Sequence, residues 1–303
     1  MKTTSFQYNL CPKKYFRENY EKLYSKSPNW NFYSYKRIKY YLFIESIRYI
    51  NFLYSKWQLE FSICDVGWYI WLDLRLIIDY FNQCNKWLII KWIVLDKNLK
   101  NFYNENTYNL YNDLTYIEKD LNELDNTFVW SFDMIISSEV IEHLWDIEKE
   151  LFFINLNKNL KQDWLLLLSA PNWASIFKNV LHILNKNNFS VQFTDFKDEY
   201  HHKWTPTVTE VISLLSRKWF FIYNIYSTCF WSLLPIETKS FFKNIIFKFI
   251  VLADFFLINL ITNKFILGYL FSATLIYSSI KKTTIDKSLW YNDTKKIKFV
   301  WEN

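Results

Sequence analysis

Two stretches of this chain hold residue types whose spacing can do chemistry. The first is Asp65-Val66-Gly67-Trp68-Tyr69-Ile70-Trp71, where an acid closes the apolar run Phe61, Ile63 and a glycine follows two residues later. A buried strand ending in an acid and a tight turn, with an amphipathic helix from about Leu72, opens a nucleotide-binding α/β sheet. The turn offers backbone to a ligand, and glycine leaves room for it. The second stretch, Phe132 to Leu144, is an apolar strand running into two carboxylates and a histidine. His143 can serve there as a general base, and Glu139, Glu142 and His143 together are metal-ligand types. A helix start whose acids complement the dipole gives the same pattern.

The elements between and around these stretches must position them. Leu72, Leu76, Ile77 and Tyr80 share one face of a helix running to Gln83. Lys91 to Asp96 is a short buried strand ending in an acid, so Asp96 is placed to accept hydrogen bonds from ribose hydroxyls. It stands farther past Gly67 than the roughly 20 residues of the dinucleotide fingerprint. A third strand is expected through Leu114 to Glu118, leading to Asp120 and Leu121. Ser138 and Glu139 then fall at the carboxyl edge of the fourth strand, where open α/β sheets bind ligands. A helix over Trp145 to Asp163 precedes a fifth strand at Leu165 to Ser169, and Thr205 caps a helix from Pro206 to Lys218. A sixth strand, Phe220 to Ser227, and a last, antiparallel one within Gly268 to Ile280 complete the sheet.

Three ordered motifs resemble the class I S-adenosylmethionine-dependent methyltransferases, including those of the ubiquinone pathway. They are Asp65 to Trp71 against D-x-G-x-G-x-G, Phe132 to Leu144 with its E-V-I-E-H-L, and Leu160 to Asn172 against L-K-P-G-G-x-L-x-x-S-x-P-N. The resemblance, covering about Ser55 to Tyr226, implies a Rossmann-like seven-stranded sheet with helices on both faces and S-adenosyl-L-methionine as cofactor. It implies cofactor contacts from Asp65, Gly67, the positions of Trp68 and Trp71, Asp96, Asp120 and Leu121 beside the adenine, and Ser138 with Glu139. His143 is its candidate catalytic base. His201 and His202 would border the acceptor pocket, and segment 1–57 would be a helical lead-in to a core at 58–235. The acceptor, a small molecule, lipid or glycan, is not specified. A non-catalytic scaffold on a degenerate fold is the competing reading.

The departures from the first motif are Tyr69 and Trp71 at glycine positions, with Trp68 beside them. The chain has 15 Trp and 2 Gly in 303 residues, whereas roughly 7% Gly, about 21 residues, is usual. Trp164 and Trp219 also stand where a helical pattern gives way to a strand, the position that favours glycine. With Lys, Asn, Ile, Phe and Tyr abundant, as in A/T-rich genomes, the pattern suggests UGA codons that mean glycine in the source organism and are written here as tryptophan.

Composition bounds the rest. A chain that is 51% hydrophobic is not disordered. Cys11, Cys64, Cys84 and Cys229 show neither metal-ligand nor disulfide spacing, which fits reduced thiols and a cytoplasmic location. The net charge of +6 is spread over scattered basic patches, without the stripe of a nucleic-acid footprint. In 236–303 an apolar insertion, 241–267, whose part 241–262 is the candidate membrane contact, is broken by Lys243, Lys248, Asp254, Asn259 and Lys264 and has no run of the roughly 18 residues a spanning helix needs. It is expected to cap the acceptor site and to be able to rest on the inner membrane surface.

Overall fold

The computed structural model describes residues 11–24, 33–67, 71–84, 88–97, 114–120, 128–129, 131–172, 203–204, 206–227, 249 and 274–281. Two helices lead in, α1 (Pro12–Tyr24) and α2 (Tyr33–Ser55), followed by β1 (Glu60–Val66) and α3 (Trp71–Cys84). Then come β2 (Ile89–Leu95), β3 (Leu114–Ile117), β4 (Phe132–Ser138), a short 3₁₀ turn (Ile141–His143) and α4 (Asp146–Asn159). The chain continues through β5 (Leu160–Pro171), α5 (Val208–Arg217), β6 (Phe220–Ser227) and β7 (Thr274–Lys281).

These strands form a single seven-stranded sheet in the order β3-β2-β1-β4-β5-β7-β6. The first five neighbours are parallel, and β7 runs antiparallel between β5 and β6. The last strand therefore lies where the sequence places it in kind, but inserted between its neighbours. This is the Rossmann-like sheet expected for the class I fold, with the strand order reversing between β1 and β4.

The two faces follow from alternation along each strand. Ile63, Met134, Ile136, Leu165 and Leu167 pack beneath α1, α2 and α3, while Cys64, Ile135, Leu166, Leu168 and Tyr277 pack beneath α4 and α5. Because β4 is buried along its whole length, it reads as an apolar run, as a central parallel strand should. The helix α2 is fastened to β6 as well as packed on the sheet. Arg48 donates to Glu45 (2.5 Å) and to the Tyr226 hydroxyl (3.0 Å), and that hydroxyl donates to Glu45. Burial, reinforced by the Glu45 charge, holds the Tyr226 hydroxyl well above its usual range.

Three sequence expectations are corrected. Helix α4 stops at Asn159, and Leu160 already pairs with Phe132, so the strand starts within the stretch read as helix. The positive φ that turns the chain there belongs to Asp163 (69°), and Trp164 lies within β5, edge-on to Tyr49 at 6.2 Å. Trp164 is therefore not a helix-ending residue: α4 is capped by Leu160 in extended geometry. The left-handed residue is Asp163, a short acid that tolerates the region, inside β5 where its register to β4 shifts. The cap of α5 is Thr207, two residues later than Thr205: Thr207 Oγ1 accepts from the Glu210 amide (3.4 Å) and Glu210 Oε2 from the Thr207 amide (2.8 Å). Such a reciprocal pair satisfies two amides that the helix end leaves without helical partners, and Thr205 itself lies outside the described residues.

Candidate functional site at the carboxyl edge of the sheet

Asp65 pairs with Val94, two residues before Asp96, so alternation puts both acids on one face at the ends of adjacent strands. Both are buried, at 1% and 7% exposure. The turn after β1 is anchored by the Gly67 amide donating to Leu95 (3.1 Å), and the Asp96 amide donates to Ile117 (3.2 Å). Lys97 pairs with Asp120 across 3.7 Å, which draws Asp120 beside the turn that carries Asp96. Cys64, sealed beneath this edge, has its thiol pushed well up by burial and by the neighbouring Asp65 charge.

Gly67 adopts φ 113°, and a Cβ there would lie 2.0 Å from Val140 Cγ2. No other residue fits without displacing the neighbour. Val140 belongs to the E-V-I-E-H-L stretch, so the two chemically suggestive stretches of the sequence press against each other. They meet where the strand order reverses between β1 and β4, the place where open α/β sheets hold ligands.

On the β4 side, Ser138 pairs with Ser169 of β5 and their hydroxyls lie 2.8 Å apart. The Ser169 hydroxyl donates to Glu139 Oε1 (2.8 Å) and accepts from the Glu139 amide (3.1 Å), which leaves Ser138 as donor to Ser169. Glu139 has φ 56°, a left-handed conformation rare outside glycine, costing about 1–3 kcal/mol. The Ser169 bonds hold it there. Ser169 was not singled out by sequence reasoning; its place in the S-x-P-N stretch was the available signal.

Glu142 is buried, and its carbonyl accepts from the amides of Lys203 (2.8 Å) and Trp204 (3.0 Å). The half-buried His143 closes the 3₁₀ turn through its amide to Val140 (3.0 Å). No group of three or more His, Cys, Asp or Glu that could hold a metal ion forms among the described residues. Glu139, Glu142 and His143 are thus not gathered into a metal centre, because the left-handed turn at Glu139 directs its carboxylate to Ser169. Trp68, Leu121, His201, His202 and most of 241–262 lie outside the described residues, as does the side chain of Trp71, which opens α3. Among the described residues no helix is long and apolar enough to cross a membrane.

No family model matches the chain, and no curated protein matches it. Solved structures of similar fold include an S-adenosylmethionine-dependent methyltransferase from Mesorhizobium loti, at 15% identity and TM-score 0.46 over 73% of this chain and 91% of that one. Another, from Archaeoglobus fulgidus, has 14% identity and TM-score 0.43 over 78% and 94%. Magnesium protoporphyrin IX methyltransferase from Synechocystis, with bound S-adenosylhomocysteine, has 12% identity and TM-score 0.47 over 88% and 94%. At such identities the likeness concerns the fold alone.

Proposed function

We propose that this chain is an S-adenosylmethionine-dependent methyltransferase acting on a small-molecule, lipid or glycan acceptor. The observation that carries the reading is the Gly67 turn, whose missing Cβ lets it close on Val140 at the strand-order reversal, with Asp65 and Asp96 at the ends of adjacent strands. These residues fit the group. Asp96 would accept from the ribose hydroxyls, the Gly67 turn would admit ligand against backbone, and Asp120 would lie on the adenine side. When bound, S-adenosylmethionine supplies a methyl group on a sulfonium centre. The protein orients the acceptor at this edge, and His143 takes a proton where the acceptor is a hydroxyl.

Calorimetric titration with S-adenosylhomocysteine, on protein carrying glycine at positions 68 and 71, tests the reading, with NAD as the rival ligand. Binding of the nucleoside and none of NAD is expected, and Asp96→Ala should weaken it by about 10- to 100-fold, the loss of one hydrogen-bonded charge at about 1.5–3 kcal/mol. Equal affinity in the Asp96→Ala variant would remove Asp96 from the site. An unchanged methyl-transfer rate in His143→Ala at every accessible pH would remove His143 as base.

A further inference from the structure

We infer that tryptophan stands at positions 57 and 219 of this sequence where the protein made in its own cell carries glycine. The backbone assigns both places. At the end of α2 the Trp57 amide donates to Tyr54 (2.9 Å), the Gln58 amide donates to Leu53 (3.2 Å), and Trp57 has φ 66°. That pair of bonds is a complete Schellman motif with Trp57 at its left-handed C′ position, the position glycine dominates. At the end of α5 the Lys218 amide donates to Leu214 (3.1 Å), the Trp219 amide to Ser216 (3.3 Å), and φ of Trp219 is 67°. It is again C′.

A bulky side chain in the left-handed region crowds its own carbonyl, and only glycine visits that region routinely. Burial of the side chain could offset the strain, but Trp57 and Trp219 are 84% and 67% exposed. Their indoles gain little packing where they are placed. The other two non-glycine residues with positive φ among the described residues have reasons of their own. Asp163 is a short acid that tolerates the region, and Glu139 is held by three hydrogen bonds to Ser169.

Two glycine positions occupied by the same large residue point to a systematic cause. With 15 Trp against 2 Gly in the chain, a UGA codon meaning glycine and written as tryptophan accounts for both observations at once. A codon carries one meaning throughout a gene, so every UGA-encoded tryptophan here would be glycine, while tryptophans from UGG would stay. Positions 68 and 71 fall under the same rule if their codons are UGA. The inference rests on helix-end geometry and composition and stands or falls apart from the proposed activity.

Tandem mass spectrometry of peptides spanning 57 and 219, from protein isolated from its own organism, is the direct test. Glycine at both is expected; tryptophan at either would overturn the inference. An independent arm uses protein made in a standard host: Trp57→Gly and Trp219→Gly should each raise the urea midpoint above that of the chain as written and above the corresponding alanine variant. Alanine removes the indole but keeps the Cβ penalty. A midpoint no higher for glycine than for alanine at both positions would contradict the backbone assignment.

Discussion

Protein carrying glycine at positions 68 and 71 is expected to bind S-adenosylmethionine at least about 100-fold more tightly than the chain as written, a difference of roughly 2.7 kcal/mol. The reason lies one residue upstream. Gly67 already uses the absence of a Cβ, because any substituent would meet Val140 at 2.0 Å. The segment that follows must carry the chain from this contact to the first turn of α3, at Trp71, within four residues. Ligands at such turns approach the backbone and the amides opening the helix, and an indole there competes for the same volume. Equal affinity of the two forms by calorimetry would mean that the tryptophans belong to the native site.

The second large effect concerns the opposite end of the sheet. Asp133, at the start of β4, is 1% exposed and accepts from the Ser62 amide (2.6 Å), Lys161 Nζ (2.7 Å) and Gln58 Nε2 (3.2 Å). One carboxylate thus ties the starts of β1, β4 and β5. Asp133→Ala should cost about 3 kcal/mol in urea unfolding, since charged hydrogen bonds contribute about 1.5–3 kcal/mol and a buried amide is left unpaired. Lys161, about one-third exposed, recovers water and keeps the loss below that of a fully buried ion pair. A loss under about 1 kcal/mol would show that water replaces the carboxylate at no cost.

Local chemistry made much of this fold legible. The acid-turn-glycine at Asp65 to Gly67 is dictated by residues adjacent in sequence, and β6 spans the expected stretch Phe220–Ser227, rich in aromatic and β-branched residues. Sequence periodicity failed where two structures share a pattern. Leu160 continues the apolar spacing of α4 yet enters β5, because its partner Phe132 is remote in sequence. At α5 both Thr205 and Thr207 are of a residue type that caps helices, and the reciprocal bond to Glu210 identifies Thr207 as the cap. The candidate site was legible as separate acids and a glycine. That Val140 packs on Gly67, that Ser169 holds Glu139 in a left-handed turn, and that Glu45 and Arg48 meet Tyr226 are long-range facts without a local signature.

The most direct measurement is a crystal structure of the protein isolated from its own organism, grown with S-adenosylhomocysteine. Adenosine density should lie across the carboxyl ends of β1, β2 and β4, with the ribose hydroxyls within hydrogen-bond distance of Asp96 and the ligand against the Gly67 turn. Ligand bound elsewhere, or Asp96 facing no hydroxyl while the nucleoside occupies another edge of the sheet, would contradict the assignment of this edge as the cofactor site.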